Sequence, residues 1–126
     1  MADITPQVSP GRQLIQSYGG GAFRITGVAY TSSVIVLPEQ TLMWQASSFD
    51  DISVEGLAPL MTANADIEVL LIGCGPRMGM PKADIRDALK EFSIVPEWMD
   101  TGAACRTFNV LVAEDRAVAA ALIAVE

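Results

Sequence analysis

The chain has 126 residues, with 15 Asp plus Glu against 8 Lys plus Arg and no histidine. The missing histidine excludes Ser-His-Asp and Cys-His nucleophile pairs, imidazole general bases and imidazole metal ligands. The net charge of −7 argues against nucleic acid or an anionic membrane surface as the main partner, because both attract clustered Lys and Arg.

The length fits one domain with a core large enough to stand without disulfide or metal staples. Residues 1–12, with Pro6, Pro10 and Gly11 and little apolar pattern, read as a loose leader. They contain no basic segment followed by an apolar one, as a secretory signal would. Residues 13–126 then read as a single domain. From residue 13 to about 46 the pattern predicts a β meander. Leu14-Ile15-Gln16-Ser17-Tyr18 ends at three glycines, residues 19–21. Phe23, Ile25, Gly27 and Ala29 alternate with Arg24, Thr26, Val28 and Tyr30. Val34-Ile35-Val36-Leu37 stops at Pro38, and Leu42-Met43-Trp44-Gln45-Ala46 gives another short strand.

The character then changes. Residues 53–61 suggest a short helix that tolerates Pro59 only in its first turn. Ile67-Glu68-Val69-Leu70-Leu71-Ile72-Gly73 is almost continuously apolar, as expected of a central strand covered on both faces. A loop, residues 73–80, leads to Pro81, suited to the first position of a helix over residues 81–92. Residues 93–98 predict a short edge strand. Asp100 or Thr101 can cap a further helix whose Ala104, Phe108, Leu111 and Val112 recur at helical spacing. Residues 117–125 are alanine-rich, and propensity favours helix. The alternation of strands and helices instead favours a strand there. Composition and period leave both readings open. The whole is an α/β pattern.

The longest apolar runs, residues 67–74 and 117–125, are far shorter than the ~18 residues of a membrane span. With no secretory signal, the expectation is a cytoplasmic chain. Its 51% hydrophobic content predicts a sheet buried on both faces and a surface that docks on another chain, including a further copy of itself. Cys74 and Cys105 belong to no CxxC pair and, without histidine, cannot complete a zinc site. No cofactor is indicated.

The candidate ligand-binding residues fall in two stretches. The first is Gly73, Cys74, Gly75 and Arg77, after the buried strand, where α/β sheets bind ligands. Its glycines at 73, 75 and 79 do not match the dinucleotide fingerprint, and no GK[ST] follows. Backbone N–H groups and Arg77 there suit a small anion or nucleotide-like ligand; the plainer reading is a tight turn. Cys74, beside Arg77 and a helix start, is a candidate low-pKa thiol, against the plainer reading of a small buried residue. The second stretch holds Thr101, Arg106 and Asn109. An asparagine in mid-helix has poor propensity, so Asn109 implies a hydrogen bond, either to a ligand or to the 73–75 loop. The carboxylates show no metal-loop spacing, and Asp50 and Asp51 read as opposite faces of a strand.

Three segments together carry a resemblance: Ile67 through Gly75; Met99-Asp100-Thr101-Gly102-Ala103-Ala104-Cys105-Arg106-Thr107-Phe108-Asn109-Val110-Leu111; and Glu114-Asp115-Arg116-Ala117-Val118-Ala119-Ala120-Ala121-Leu122. They resemble the domain-of-unknown-function family of the mitochondrial complex I assembly factor and the adipogenesis-associated, Mth938-like proteins. The resemblance runs over residues 13–125. Where that family commonly has Gly-Thr-Gly, this chain has Gly73-Cys74-Gly75. The resemblance implies a three-layer fold, a β-rich N-terminal part packed on a mixed, mainly parallel sheet flanked by helices, with residues 117–124 as a strand. It implies no catalytic residues. For function it implies a non-catalytic assembly or interaction protein with protein partners such as respiratory-complex subunits, held peripherally at the inner membrane through them. The alternative is a small-anion or nucleotide binder, or an enzyme, with its pocket between the 73–79 loop and the helix carrying Arg106 and Asn109. Redox sensing by a thiol is a third reading.

Overall fold

A computed structural model of the chain describes residues 11–62 and 66–126. The leader expected over residues 1–12 therefore lies, apart from Gly11 and Arg12, outside the described residues.

The β meander forms, in more pieces than its alternation suggests. Strands β1 (Ile15–Gly19), β2 (Ala22–Ile25) and β3 (Val28–Tyr30) make one antiparallel sheet. The alternating run 23–30 is not one strand. It folds back at Thr26 and Gly27, both with positive φ (47° and 83°), which is the conformation a two-residue hairpin turn needs. Strands β4 (Ser33–Val36) and β5 (Thr41–Trp44) follow as a second hairpin. Residues 47–52 correct a further expectation. Asp50 and Asp51 do not alternate along a strand; Phe49–Asp51 is a single 3₁₀ turn, and the Asp51 carboxylate accepts the N–H groups of Ser47 and Ser48.

A second 3₁₀ turn, Glu55–Leu57, runs into α1 (Ala58–Thr62), with Pro59 in its first turn as the sequence requires. Then come β6 (Val69–Gly73), α2 (Ala83–Lys90), β7 (Val95–Met99), α3 (Thr101–Ala113) and β8 (Val118–Leu122). Pro81 precedes α2 rather than opening it, because the backbone is still extended at Lys82 (φ −97°, ψ 120°). Asp100 caps α3, accepting the Ala103 N–H at 2.8 Å.

The larger sheet has the order β5-β4-β8-β6-β7. β8 is parallel to β6 and β6 to β7, while β4 is antiparallel to both β8 and β5. Four of the five strands therefore point one way, and β4 is the reversed one. The alanine-rich segment is its central strand, with all five residues of β8 buried. Helix propensity loses there because β4 and β6 supply ladder partners on both sides, and the small side chains let the flanking layers come close. Ala119 and Ala121 face the core under α1 and α2 with Ile72, Ile85 and Leu89. Val118, Ala120 and Leu122 face the core under α3 and the small sheet with Phe23, Ile25 and Phe108. This gives three layers. At the outer edge Val95 donates to the Glu68 carbonyl, so alternation turns Pro96 outward. A residue with no N–H there blunts the edge against pairing with other chains.

A buried amide side chain on α3 fastens the small sheet to that helix. Asn109 is 3% exposed. Its Oδ1 accepts the Ile15 N–H at 3.0 Å and its Nδ2 donates to the Ile15 carbonyl at 2.7 Å. Thus the amide stands in for a strand's peptide group along β1, next to an irregularity in register between Ile15 and Ser17. The structural hydrogen bond expected of Asn109 exists, but its partner is β1 and not the 73–75 loop.

Asn109→Ala leaves both Ile15 groups buried without partners. At roughly 1–3 kcal/mol for each such group, the expected loss is about 2–6 kcal/mol. Urea unfolding should show a lower midpoint at unchanged slope; an unaltered midpoint would contradict this role.

Candidate functional site

The parallel strands β6, β7 and β8 end side by side, and the chain is fastened there by a small set of hydrogen bonds. The Thr101 hydroxyl donates to the Ile123 carbonyl at 2.7 Å and accepts the Gly75 N–H at 3.0 Å. Thr101 N–H donates to the Gly75 carbonyl, Cys74 N–H to the Met99 carbonyl, and Ile123 N–H to the Gly73 carbonyl, at 2.8 to 3.0 Å. Gly73 is needed for this approach, since a Cβ there would lie 3.0 Å from the Thr101 Cα and from Leu122. Gly75 has φ +107°, a backbone conformation that suits glycine.

Beyond these ends lies a cleft of about 340 Å³, open along one side and mainly apolar. Residues 74–79 form one wall, residues 47–49 another, and Ile123 and Ala124 complete it. Two contacts hold the walls together. Gly79 lies so near Phe49 that any Cβ would run into the ring. The Lys82 ammonium donates to the Phe49 and Ile52 carbonyls, each at 2.9 Å, and sits 4.5 Å from the Phe49 ring centroid. The ring in turn meets Trp98 edge-on at 6.2 Å.

The nominated residues divide. Cys74, Gly75 and Arg77 line the cleft. Gly73 and Thr101 lie behind it, and Thr101 is fully buried with its hydroxyl already both donating and accepting. Arg106 reaches the Tyr18 hydroxyl at 2.6 Å, and Asn109 is committed to Ile15. This cleft lies on the side of residues 47–49, and Arg106 and Asn109 do not line it. Sequence reasoning missed Ser47, Ser48, Phe49, Lys82 and Ile123. The available signal was Ser48 followed three residues later by Asp51, a helical-turn capping spacing.

The thiols are buried and unpaired. Cys74 lies at the cleft with its pKa raised, not lowered as a reactive thiol requires. Burial pushes it up, against weaker pulls from the Gly79 backbone and Lys82. Its Sγ–H points to the Ile72 carbonyl at 3.6 Å. Burial pushes Cys105 up to about 12, with Arg106 opposing only weakly. Among the described residues no group of three or more Cys, Asp or Glu is placed to hold a metal ion.

The Cys105 shift carries a sign that can be worked out. Above its ordinary value near 9.0, the unfolded chain loses the thiol proton while the folded chain keeps it. Ionisation then favours the unfolded state. Stability should fall as pH rises from about 9.0 towards about 12, and Cys105→Ala should flatten this fall. Equal slopes in chemical denaturation of the two proteins would sink the assignment.

The comparisons with known proteins agree with the fold. The zebrafish (Danio rerio) NADH dehydrogenase [ubiquinone] 1 alpha subcomplex assembly factor 3 is 41% identical over 110 residues, covering 87% of this chain and 63% of that protein. The chain thus spans about three-fifths of the length of that relative. The crystal structure of an outer membrane protein from Bartonella henselae superposes with TM-score 0.86 at 41% identity, covering 93% of this chain and 98% of that one. A Mth938-like domain from Bordetella pertussis superposes at 0.77 with 27% identity, covering 94% and 89%. The model of the family described as protein of unknown function (DUF498/DUF598) matches residues 15–123, and the chain belongs to that family.

Proposed function

We propose that this chain is a non-catalytic interaction protein that helps assemble respiratory complex I or another membrane complex, working from the cytoplasm and held peripherally at the inner membrane by its partners. The observation that carries this reading is the 41% identity, over 87% of the chain, to a protein named as a complex I assembly factor. Two features of the molecule support it. The loop at the strand ends carries Met78 and Met80, 69% and 80% exposed, and methionine is suited to adaptable apolar contacts with other proteins. The groups at the cleft also suit contact better than bond-making. Its thiol is shifted away from reactivity, the threonine behind it is fully engaged, and the chain has no histidine. Among the described residues no helix is long and apolar enough to cross a membrane.

A second reading has one observation in its favour. Arg77 and the serines at 47 and 48 share the cleft, a set that suits a small anion. A ligand of this kind raises the melting temperature by mass action. A thermal-shift screen over nucleotides and small carboxylates with no hit would remove it.

Deletion in the native host should lower the amount of fully assembled complex while its subunits are still made, as read on native gels and by membrane NADH oxidation. Unchanged levels of every respiratory complex would overturn the assembly reading.

A further inference from the structure

The cleft has a defined chemistry, and three observations bear on what occupies it. The first is its polarity. The lining is mainly apolar and includes Phe49, Pro76, Met78, Ile123 and Ala124, so burying an apolar group there is favourable. The second is its shape. About 340 Å³ is at the low end for small-molecule pockets, which enclose most of their ligand, and this cleft is open along one side. A small molecule would stay largely in water. A side chain presented by another polypeptide would be covered by the body that carries it.

The third observation is the charge at the rim. The Asp51 carboxylate is turned onto the N–H groups of Ser47 and Ser48, and that of Asp100 onto Ala103. The Lys82 ammonium is held by two carbonyls. Among the described residues the ion pairs are Arg12 with Asp115 and Arg86 with Asp87. Arg77 is exposed, lines the cleft and has no carboxylate within pairing distance among the described residues. On a chain of net charge −7, it is the cation at this cleft left for a partner.

We infer that the cleft receives a partner polypeptide through one large apolar side chain seated against Phe49, Met78 and Ile123, with an Asp or Glu a few residues away pairing with Arg77. This rests on the interaction reading above and gives that reading a surface and a partner chemistry. The occupant is a short acidic-apolar segment of another protein. Arg77 supplies preference and orientation, and the apolar anchor supplies most of the binding, as is usual for a rim charge around a buried contact.

The test uses the full chain and a phage-displayed random heptapeptide library. Selected peptides should share an aromatic or large aliphatic residue with an Asp or Glu within a few positions. When titrated into labelled protein, they should shift the amides of residues 47–49, 75, 77–79 and 123–124. Arg77→Glu should weaken these peptides roughly two- to fivefold, the scale of an exposed ion pair, and the same selection on that variant should move the charge preference to Lys or Arg. Met78→Ser should weaken peptides of either charge alike. Both side chains are exposed, so both variants should keep the parent's unfolding midpoint. A selection with no consensus, a consensus without an acidic residue, shifts outside the cleft, or binding indifferent to Arg77→Glu would each overturn the inference. Concentration-dependent shifts in the free protein at the same amides would also overturn it, by making a second copy the occupant. Should the peptides fail while deletion still lowers an assembled complex, the assembly reading stands and the cleft is not its surface.

Discussion

One hydroxyl group holds together the end of this molecule where the parallel strands finish. Thr101 opens α3, and its side chain sits between the Gly75 N–H and the Ile123 carbonyl. These groups lie just past the ends of β6 and β8, the two strands over which α3 packs. A hydroxyl can donate and accept at once, so it serves both groups where the side chain is fully buried. Valine, of similar shape, would leave a buried N–H and a buried carbonyl orphaned, which is costly in such surroundings. Gly73 is part of the same constraint, because any Cβ would displace the threonine. The cleft is therefore built on a base of hydrogen-bonded strand ends, and the loop carrying Arg77 leaves that base from a fixed point at Gly75.

How far this was legible follows from where each signal resides. β6 is legible because a strand covered on both faces needs apolar residues throughout, and residues 69–72 supply them. β8 is equally buried, yet alanine speaks for helix when read alone; its strand character comes from β4 and β6 on either side, which are distant in sequence. The resemblance supplied what periodicity could not. Asn109 shows the same division. Its poor fit in a helix signalled a hydrogen bond, but the partner, Ile15, lies 94 residues away at a strand irregularity that no local pattern marks. Half of the cleft, residues 74–79, was legible as part of the loop after a buried strand. The other wall was not, because three residues of 3₁₀ turn are too short for any period. The contacts that place it, Lys82 on the Phe49 carbonyl and Gly79 on the Phe49 ring, are again long-range.

The thiols show how environment reverses a residue-level expectation. Cys74 next to Arg77 suggests a stabilised thiolate. That argument fails because α2 does not begin until Ala83, so no helix N-terminus meets the sulfur, while burial acts on it directly. The Gly79 backbone and Lys82 pull the other way and lose. In Cys105 burial wins by more, because the sulfur lies under α3 among Phe108, Ala104 and Leu71. Both residues behave as small apolar fillers.

A docking surface works best when its base does not need ordering on contact and its rim can adapt. The cleft has this division. Its base is tied by the Thr101 bridges and by Lys82, so little freedom is lost there when a partner arrives. Its rim carries long side chains, Arg77 and Met78, whose rotamers can follow the partner's shape. Restricting those side chains opposes binding, and only a contact that buries the apolar lining can offset it. That requirement favours an occupant with a large apolar group and its own covering surface over a free anion, which would engage Arg77 in water and leave the lining unused.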